Sequence, residues 1–348
     1  MQALILAGGE GTRLRPLTHT VPKPVLPLAG RPHVAYVIDW LSRHGVDDVI
    51  VSCGHLAQGL RDALVSLEPG VRIRFAEEPD PRGTAGAIRF AEDLLGNRFL
   101  VLNGDVLCDL DLRGLVERHH SVGARATIAL YPVADPSAYG LVRRREDGEI
   151  VEFLEKPDPK ETAVNSDEIN AGAYLLERSV LDLIPADQEV SIEREVFPRL
   201  VGKGLYGVRL DGYWIDIGTP DRFLQANWDI LERAVETVIG ERLDADGPVV
   251  EDGAQVSSEA TVEGPALLEA GARVAAGAKV GPRAVLGPGC VVEETATVEG
   301  SVLLAGCRVG EGASVRDSIL AAQVEVAAAA EVEPGSVIGE GDLAGASG

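Results

Sequence analysis

The chain has 348 residues, of which 45% are apolar, and carries a formal net charge of −23. A chain of this length can form two domains, each with its own hydrophobic core. The strong negative charge argues against nucleic acid or an anionic membrane as a partner, and no apolar stretch approaches the length of a membrane span.

Cysteine and lysine are both scarce. Four cysteines are scattered without a C-x-x-C motif, which predicts reduced thiols in a cytoplasmic protein, and no signal-peptide pattern precedes the first apolar run. Five of the 32 basic residues are lysines. Each is a candidate for chemistry that needs a compact ammonium group, although simple scatter is the better explanation for Lys160, Lys203 and Lys279.

The first predicted strand, residues 2–7, leads into a glycine loop with the sequence GGEGTRLRPLTHTVPKP. The loop lacks the G-K-[ST] ending of a P-loop and the third glycine of the dinucleotide fingerprint. What remains is a set of backbone N–H groups at Gly8, Gly9 and Gly11, followed by two cations, Arg13 and Lys23. Such a loop suits phosphate groups, because glycine permits close approach of the backbone.

Up to about residue 238, short apolar runs alternate with amphipathic helical patterns. The runs are ALILA, DVIVSC, VRIRFA, RFLVLNGD and ATIALYPV, and the helical patterns cover residues 33–43, 57–67 and 84–94. This alternation predicts a doubly wound, mostly parallel α/β sheet, with ligands beyond the carboxyl ends of its strands.

After residue 247 the pattern changes to a period of six. Aliphatic residues occupy every sixth position from Val250 to Leu304, and a small residue follows most of them four positions later. The series continues to Ile338 with two five-residue steps, from Leu304 to Val309 and from Val315 to Leu320. A six-residue period predicts a left-handed parallel β-helix in which the aliphatic side chain points inward and the small residue fits the corner.

The predicted coil carries no histidine, so an acyltransferase activity of the kind found in other hexapeptide coils is not expected. Its predicted role is that of a rigid acidic spacer that assists contacts between copies in a homo-oligomer. The predicted organisation is a catalytic domain at 1–238, a linker at 239–248, the coil at 249–343 and a flexible tail at 344–348.

The ordered motifs resemble those of the sugar-1-phosphate nucleotidylyltransferases. LAGGEGTRLRPLT and VPKP are followed in family order by GTAGA, NGDV, YG, EKP, INAGAYLL, SIEREVFP and WIDIGTP. Within this family the chain most resembles the mannose-1-phosphate guanylyltransferases, which also carry a C-terminal hexapeptide coil. The resemblance implies a Rossmann-like nucleotidyltransferase sheet, and a reaction in which a sugar-1-phosphate attacks the α-phosphorus of a nucleoside triphosphate.

The resemblance also implies roles for the charged residues of the glycine loop. The backbone of Ala7, Gly8, Gly9, Gly11 and Thr12 would hold the triphosphate. Arg13 would neutralise the departing β- and γ-phosphates, and Lys23 would bridge the α-phosphate and the sugar phosphate. No general base is needed, because a phosphate monoester is largely ionised at neutral pH. Positioning and cations should therefore dominate catalysis.

Two carboxylates match the metal ligands of the family, Asp105 in NGDV and Asp216 in WIDIG. Mg²⁺ usually takes only one or two carboxylates and fills its other positions with water and substrate phosphates. Asp109 and Asp111 are interpreted instead as caps of the helix that follows.

On the sugar side, the resemblance assigns Glu155 as an acceptor from sugar hydroxyls and Lys156 as a partner of the sugar phosphate. Asn170 would donate to and accept from the sugar, and Gly140 would bring its backbone close to the ring.

The nucleotide base is predicted from Glu78, with Gly83 placed against the base. A carboxylate can accept both donors of guanine, which favours GTP. The segment EEPDPRGTAG is, however, two residues longer than the usual guanylyltransferase spacing and resembles that of thymidylyltransferases.

The favoured reaction joins GTP and mannose-1-phosphate to give GDP-mannose and pyrophosphate. Synthesis of dTDP-glucose or a UDP-sugar is an alternative within the class. A non-catalytic regulatory paralogue that binds sugar nucleotides is the alternative from another class, and intact Arg13, Lys23, Asp105 and Asp216 argue against it.

Overall fold

A computed structural model describes residues 1–54, 56–67, 70–156, 167–243 and 247–345. Lys160, residues 244–246 of the expected linker and residues 346–348 of the expected tail lie outside the described residues. None of the helices in the described part of the chain combines the length and apolarity that a membrane span requires.

By their contacts the residues form two units. The sheet unit comprises Met1–Gly9 and Val37–Trp214, and the coil unit comprises Glu10–Tyr36 and Ile215–Gly348. The segment Glu10–Tyr36, which contains Arg13 and Lys23, thus belongs by its contacts to the coil unit.

Thirteen strands lie within the described residues before position 243. In chain order they are β1 (Gln2–Leu6), β2 (Pro27–Leu28), β3 (Arg31–Pro32), β4 (Asp48–Cys53), β5 (Arg72–Glu77), β6 (Arg98–Asn103), β7 (Val106–Cys108), β8 (Ala126–Pro132), β9 (Gly140–Arg144), β10 (Ile150–Glu155), β11 (Glu168–Glu177), β12 (Leu205–Arg209) and β13 (Trp214–Asp216).

The α-helices fall near the amphipathic patterns of the sequence. They are α1 (His33–Arg43), α2 (Ala57–Ser66), α3 (Gly83–Phe90), α4 (Leu112–Val122), α5 (Phe197–Leu200) and α6 (Pro220–Leu231). Predicted helix 84–94 ends early, and a short 3₁₀ turn at Glu92–Leu94 replaces its last part.

The large sheet has a parallel half and an antiparallel half. Strands β6, β1, β4 and β5 lie side by side and run parallel, as expected for apolar runs buried on both faces. Strand β11 continues the sheet from β6 in the antiparallel direction and also pairs with β8 and β9, while β12 runs parallel to β8. The expected Rossmann-like sheet is confirmed, and its second half is more mixed than its first.

The parallel half brings four loops to one edge, because the carboxyl ends of parallel strands meet there. Ala7 N donates to Ser52 O at 2.8 Å, Glu78 N donates to Cys53 O at 2.8 Å, and Gly104 N donates to Leu6 O at 2.9 Å. The start of the glycine loop and the loops that begin with Gly54, Glu78 and Gly104 therefore lie together at this edge.

The coil unit contains the expected left-handed parallel β-helix. Its strands are β14 (Pro248–Val250), β15 (Gln255–Val256), β16 (Thr261–Val262), β17 (Ala266–Leu268), β18 (Arg273–Val274), β19 (Lys279–Val280), β20 (Ala284–Leu286), β21 (Val291–Val292), β22 (Thr297–Glu299), β23 (Val302–Leu303), β24 (Arg308–Val309), β25 (Ser314–Arg316), β26 (Ile319–Leu320), β27 (Glu325–Val326), β28 (Glu331–Val332), β29 (Val337–Ile338) and β30 (Leu343–Ala344). Each coil strand pairs in parallel with the third strand after it, so the strands form three flat faces.

The register of the coil differs from the sequence prediction at one position. Val250 pairs with Leu268, eighteen residues on, but Leu286 pairs with Leu303. Leu303 is fully buried and Leu304 is not, so the first five-residue step falls before Leu303. Assigning Leu304 to the inward position was therefore wrong, because two adjacent leucines satisfy the pattern equally well.

Candidate functional site

In the sheet unit, the glycine loop begins beside a buried carboxylate. A Cβ atom on Gly8 would lie 3.4 Å from Oε1 of Glu78, while one on Gly9 would meet nothing within 4 Å. Ala7 is fixed by its bond to Ser52. Glu78 therefore lies at the carboxyl edge of the parallel strands, next to the start of the glycine loop.

Glu78 is only 8% exposed and accepts a hydrogen bond from the hydroxyl of Ser52. Burial raises the pKa of the Glu78 carboxyl above its ordinary value, while the bonds from Ser52 and the Arg82 backbone and the Arg82 charge act in the opposite direction. The carboxyl thus holds the loop at Arg82 in place, and each of its oxygens still has a lone pair for a base.

Gly83 begins α3 with a φ of +68°, and a Cβ there would lie 2.6 Å from the carbonyl oxygen of Val190. The backbone conformation and this close approach both require glycine, so packing alone accounts for the residue. Its predicted contact with the base stays a prediction.

Asp105 follows the end of β6 in a tight turn. A Cβ on the preceding Gly104 would lie 2.5 Å from the carbonyl oxygen of Leu6, so the turn is packed against the end of β1. This packing places Asp105 at the same edge of the sheet as Gly8.

Three of the predicted sugar-binding residues come together at the far half of the sheet. A Cβ on Gly140 would lie 2.8 Å from Oε2 of Glu155 and 3.4 Å from the Cβ of Asn170. Gly140 pairs with Glu155 across β9 and β10, which explains their proximity. Because Gly140 lacks a side chain, the Glu155 carboxylate and the Phe153 ring, whose Cζ would lie 3.0 Å from such a Cβ, can pack closely against its backbone.

Burial raises the pKa of the Glu155 carboxyl, and the negative charge of Glu193 raises it further. The charges of Lys156 and Arg194 act in the opposite direction. Lys156 is exposed, with its N–H bonded to Tyr139 O at 3.1 Å and a φ of +50°. A left-handed backbone at a lysine costs about 1 kcal/mol or more and is common at functional sites.

Asn170 lies at a break in the regular pairing of β11 with β8, between Asn170 and Tyr174. Such bulges redirect side chains beside binding sites. The Trp214 indole donates to Ala171 O at 2.9 Å and contacts the rings of Tyr131 and Tyr139. Sequence reasoning missed this aromatic support, although the YG and WIDIG motifs contain two of its members.

In the coil unit, the chain brings Lys23 back to the glycine loop. Gly11 has a φ of +62°, its carbonyl accepts from the Thr18 hydroxyl at 2.9 Å, and a Cβ on it would lie 3.1 Å from the Cβ of Lys23. Lys23 is only 9% exposed, and Thr12 begins the short 3₁₀ turn after Gly11. Burial of a lysine in a Pro-rich turn contradicts a role as an ordinary surface residue.

Arg13 and Asp216 lie on either side of Gly218. A Cβ on Gly218 would lie 2.6 Å from Nη2 of Arg13 and 2.7 Å from Oδ1 of Asp216. The Asp216 carboxylate also accepts from Gly218 N at 2.7 Å, which fixes it at the end of β13. The predicted phosphate cation and one predicted metal ligand are therefore neighbours.

The two predicted metal ligands, Asp105 and Asp216, are both carboxylates. Hard cations such as Mg²⁺ prefer oxygen ligands of this kind. Within the described residues, no group of three or more His, Cys, Asp or Glu side chains is arranged to hold a metal ion. Either carboxylate alone suits a hard cation whose other ligands are water and substrate phosphates.

The two nearby aspartates have different roles. Asp111 caps α4 by accepting from Arg113 N at 3.0 Å, as predicted. Asp109 is not a cap; its Oδ1 accepts from Tyr213 N at 2.6 Å and so ties the chain after β7 to the segment before β13. The prediction for Asp109 was wrong, because a partner 104 residues away leaves no local signal.

Comparisons with known proteins identify the family to which the chain is similar. Residues 2–233 match the nucleotidyl transferase family, and residues 262–342 match the family described as the GMPPB C-terminal domain. A mannose-1-phosphate guanylyltransferase of Mycobacterium tuberculosis is 38% identical over 265 residues, which cover 72% of this chain and 71% of that protein.

Two further similar proteins have other names. A UTP–glucose-1-phosphate uridylyltransferase of Synechocystis is 37% identical over 68% of this chain, and the match spans 65% of that relative, just under two thirds. The crystal structure of HddC from Yersinia pseudotuberculosis complexed with GMP-PN is 29% identical with a TM-score of 0.55, covering 65% of this chain and 97% of HddC.

Proposed function

Because this chain belongs to the nucleotidyl transferase family, we propose that it joins GTP and mannose-1-phosphate into GDP-mannose and pyrophosphate. Enzymes of this family generally use a divalent metal ion, and Mg²⁺ is the proposed ion here. The observation that carries the proposal is the position of Lys23, which is buried beside Gly11 of the glycine loop, because a compact ammonium group there suits the phosphate groups that such a loop binds.

The proposed chemistry asks the protein to bring two polyanions together. A phosphate oxygen of the sugar-1-phosphate attacks the α-phosphorus, and the bond to the β-phosphate oxygen breaks as pyrophosphate leaves. The nucleophile is already ionised near neutral pH, so no side chain has to remove a proton. Rate enhancement then comes from alignment and from positive charge.

Each phosphate contact has a proposed residue. The backbone of Ala7, Gly8, Gly9, Gly11 and Thr12 holds the triphosphate, Arg13 neutralises the departing pyrophosphate, and Lys23 binds both the α-phosphate and the sugar phosphate. Asp105 and Asp216 are the proposed metal ligands. When bound, Mg²⁺ would neutralise phosphate charge and hold the phosphates in one orientation.

The sugar is proposed to bind above Gly140. Glu155 accepts from its hydroxyls, Asn170 donates and accepts, and Lys156 binds its phosphate. The convergence of Glu155 and Asn170 around the Gly140 backbone supports this proposal.

Guanine is the proposed base, recognised by Glu78 with Gly83 beside it. The name of the Mycobacterium tuberculosis relative supports guanine, whereas the Synechocystis relative and the length of the loop at 79–82 favour a pyrimidine. A pyrimidine nucleotide is therefore the second candidate.

A substrate matrix tests the proposal. Pyrophosphate release is measured with ATP, GTP, CTP, UTP and dTTP, each against mannose-, glucose- and N-acetylglucosamine-1-phosphate, with Mg²⁺. GTP with mannose-1-phosphate should give the highest kcat/KM. Glu78→Gln should lower the ratio of GTP to dTTP use about tenfold, because an amide presents only one acceptor.

Three results would contradict parts of the proposal. A higher kcat/KM with UTP or dTTP would overturn the choice of guanine, and an unchanged ratio in Glu78→Gln would remove Glu78 from base recognition. Absence of pyrophosphate from every pair would favour the regulatory paralogue.

We also propose a cytoplasmic homo-oligomer with a catalytic domain at 1–238, a linker at 239–248, a coil at 249–343 and a tail at 344–348. The first coil strand begins at Pro248 and the last ends at Ala344, so the strands extend one residue beyond the proposed coil at each end. All four cysteines are free, which supports a reducing compartment. The family matches at 2–233 and 262–342 lie within the proposed boundaries.

A further inference from the structure

A buried carboxylate in the SIEREVFP motif has no role in the chemistry described above. Glu193 is 8% exposed, and its Oε2 accepts from the hydroxyls of Thr84 at 2.7 Å and Ser191 at 2.8 Å. Its Oε1 accepts from the hydroxyl of Tyr174 at 3.4 Å. Burying a carboxylate is costly, so three donors converging on one carboxyl indicate a specific function for it.

One arm of this network leads to the sugar-binding residue Asn170. The Asn170 amide donates to the Tyr174 oxygen at 2.8 Å, and its Oδ1 accepts from Gly172 N at 2.9 Å. Burial, and then the charge of Glu193, keep the pKa of the Tyr174 phenol well above its ordinary value, so the phenol remains a donor to Glu193. The orientation of the Asn170 amide is thereby fixed, with one N–H and one lone pair left for a ligand.

The other arm leads to the nucleotide side. Thr84 follows Gly83 in α3, and its hydroxyl oxygen accepts from Ile192 N at 2.9 Å while the hydroxyl donates to Glu193. Ala85 N also donates to Val190 O at 2.9 Å, and Val190 N to Arg82 O at 2.9 Å. The first turn of α3 is thus joined to the segment that carries Glu193.

We infer that Glu193 is a positioning residue shared by the two substrates, holding Asn170 through Tyr174 and the start of α3 through Thr84. This inference rests on the proposed function and deepens it. In this arrangement the Asn170 amide donates to the Tyr174 hydroxyl, which in turn donates to Glu193, and these two hydrogen bonds orient the sugar-binding amide. A glutamine at position 193 has a single acceptor oxygen, so it could not accept both from the Tyr174 phenol and from the Thr84 and Ser191 hydroxyls.

Glu193 also acts on the charge of the sugar site. Among the residues that the structure describes, the charged groups that face Glu155 are Glu193, Lys156 and Arg194, and of these Glu193 carries the like charge. Removing the Glu193 charge should therefore lower the pKa of Glu155. Since Glu155 accepts from hydroxyls in its ionised form, the acid limb of kcat/KM for the sugar-1-phosphate should move to lower pH.

Three variants separate the arms. In Tyr174→Phe, the KM for mannose-1-phosphate should rise about tenfold while the KM for GTP changes less than twofold, because only the arm to Asn170 is lost. Thr84→Val should show the opposite split. Glu193→Gln should raise both KM values and move the acid limb, whereas Tyr174→Phe retains the Glu193 charge and should leave the limb in place.

Steady-state kinetics from pH 5.5 to 8.5 and calorimetric binding of GDP-mannose provide the readouts. Unchanged KM for mannose-1-phosphate in both Tyr174→Phe and Glu193→Gln, with an active wild type, would overturn this inference alone. Should Glu193→Gln fail to fold, Tyr174→Phe still decides the matter. A wild type that neither releases pyrophosphate nor binds GDP-mannose would overturn the proposed function and this inference with it.

Discussion

Gly218 illustrates how a single residue can determine the geometry of two charged groups. The space that a methyl group would occupy lies against Nη2 of Arg13 and Oδ1 of Asp216. Both atoms are at the ends of side chains, so a methyl group would move the side chains and leave the backbone in place. A substitution of Gly218 should therefore reduce the activity of the enzyme more than its stability.

Gly218→Ala should lower kcat at least tenfold while the melting temperature changes by less than about 3 °C, because the displaced groups are the proposed phosphate cation Arg13 and the proposed metal ligand Asp216. Pyrophosphate release and thermal unfolding check this result. The matched control is Gly70→Ala, since a Cβ at Gly70 meets nothing within 4 Å. Equal kcat in Gly218→Ala and wild type would show that the contact is unimportant.

At this scale, the sequence predicted residues inside short motifs and missed residues that act through distant partners. Gly140, Glu155 and Asn170 were identified and do come together. Glu193 and Tyr174 were not assigned, because their function depends on a bulge in β11 and on hydrogen bonds across the sheet. Neither feature has a local sequence signal.

One residue of the coil, Glu269, packs against a turn from the N-terminal part of the chain. Glu269, at the end of β17, lies against the turn that joins β2 and β3, where a Cβ on Gly30 would lie 2.8 Å from the Glu269 Cδ. The carboxyl lines a cavity with Val25 and Pro27, which follow Lys23. Burial, and then the charge of Glu251, raise the pKa of the Glu269 carboxyl to about 7.

This raised pKa predicts a pH-dependent loss of stability. In the unfolded chain Glu269 ionises near pH 4.5, whereas in the folded protein it stays protonated until about pH 7. Stability is therefore lost as the pH rises between these values and is constant above them. Between pH 5.5 and pH 8, the free energy of unfolding should fall by about 1–2 kcal/mol less in Glu269→Gln than in wild type.

Denaturant unfolding at the two pH values measures the effect as a difference from wild type. Glu263→Gln, on an exposed part of the same coil, is the control for the change in net charge. If Glu269→Gln is no more stable than wild type at pH 8, the carboxyl is not held in an unfavourable environment.

The elements themselves were predicted unequally. The parallel half of the sheet follows from its apolar runs, and the three-faced coil follows from its six-residue period. The antiparallel half, in which β11 pairs with β6, β8 and β9, could not be ordered from the sequence. Those pairings join segments far apart in the chain, and alternation of apolar residues does not identify the partner.

For the whole molecule, the coil unit provides more than the rigid spacer that its composition indicated. The segment Glu10–Tyr36 belongs to this unit, where the Thr20 hydroxyl donates to Glu340 at 2.6 Å and Ala29 N donates to Asn227 Oδ1 at 2.8 Å. The coil therefore supports the segment that carries Arg13 and Lys23. Residues far from Arg13 and Lys23 in the sequence thus help to fix the position of the segment that contains both cations.

The proposed reaction depends most on buried Lys23, which would allow the α-phosphate of the nucleotide and the phosphate of the sugar to react. The most direct test compares the initial rate of pyrophosphate release from GTP and mannose-1-phosphate in wild type, Lys23→Ala and the exposed control Lys203→Ala. Pyrophosphate should be released only when both substrates are present, with kcat at least 100-fold lower in Lys23→Ala and unchanged in Lys203→Ala. A folded Lys23→Ala enzyme that releases pyrophosphate at the wild-type rate would contradict it.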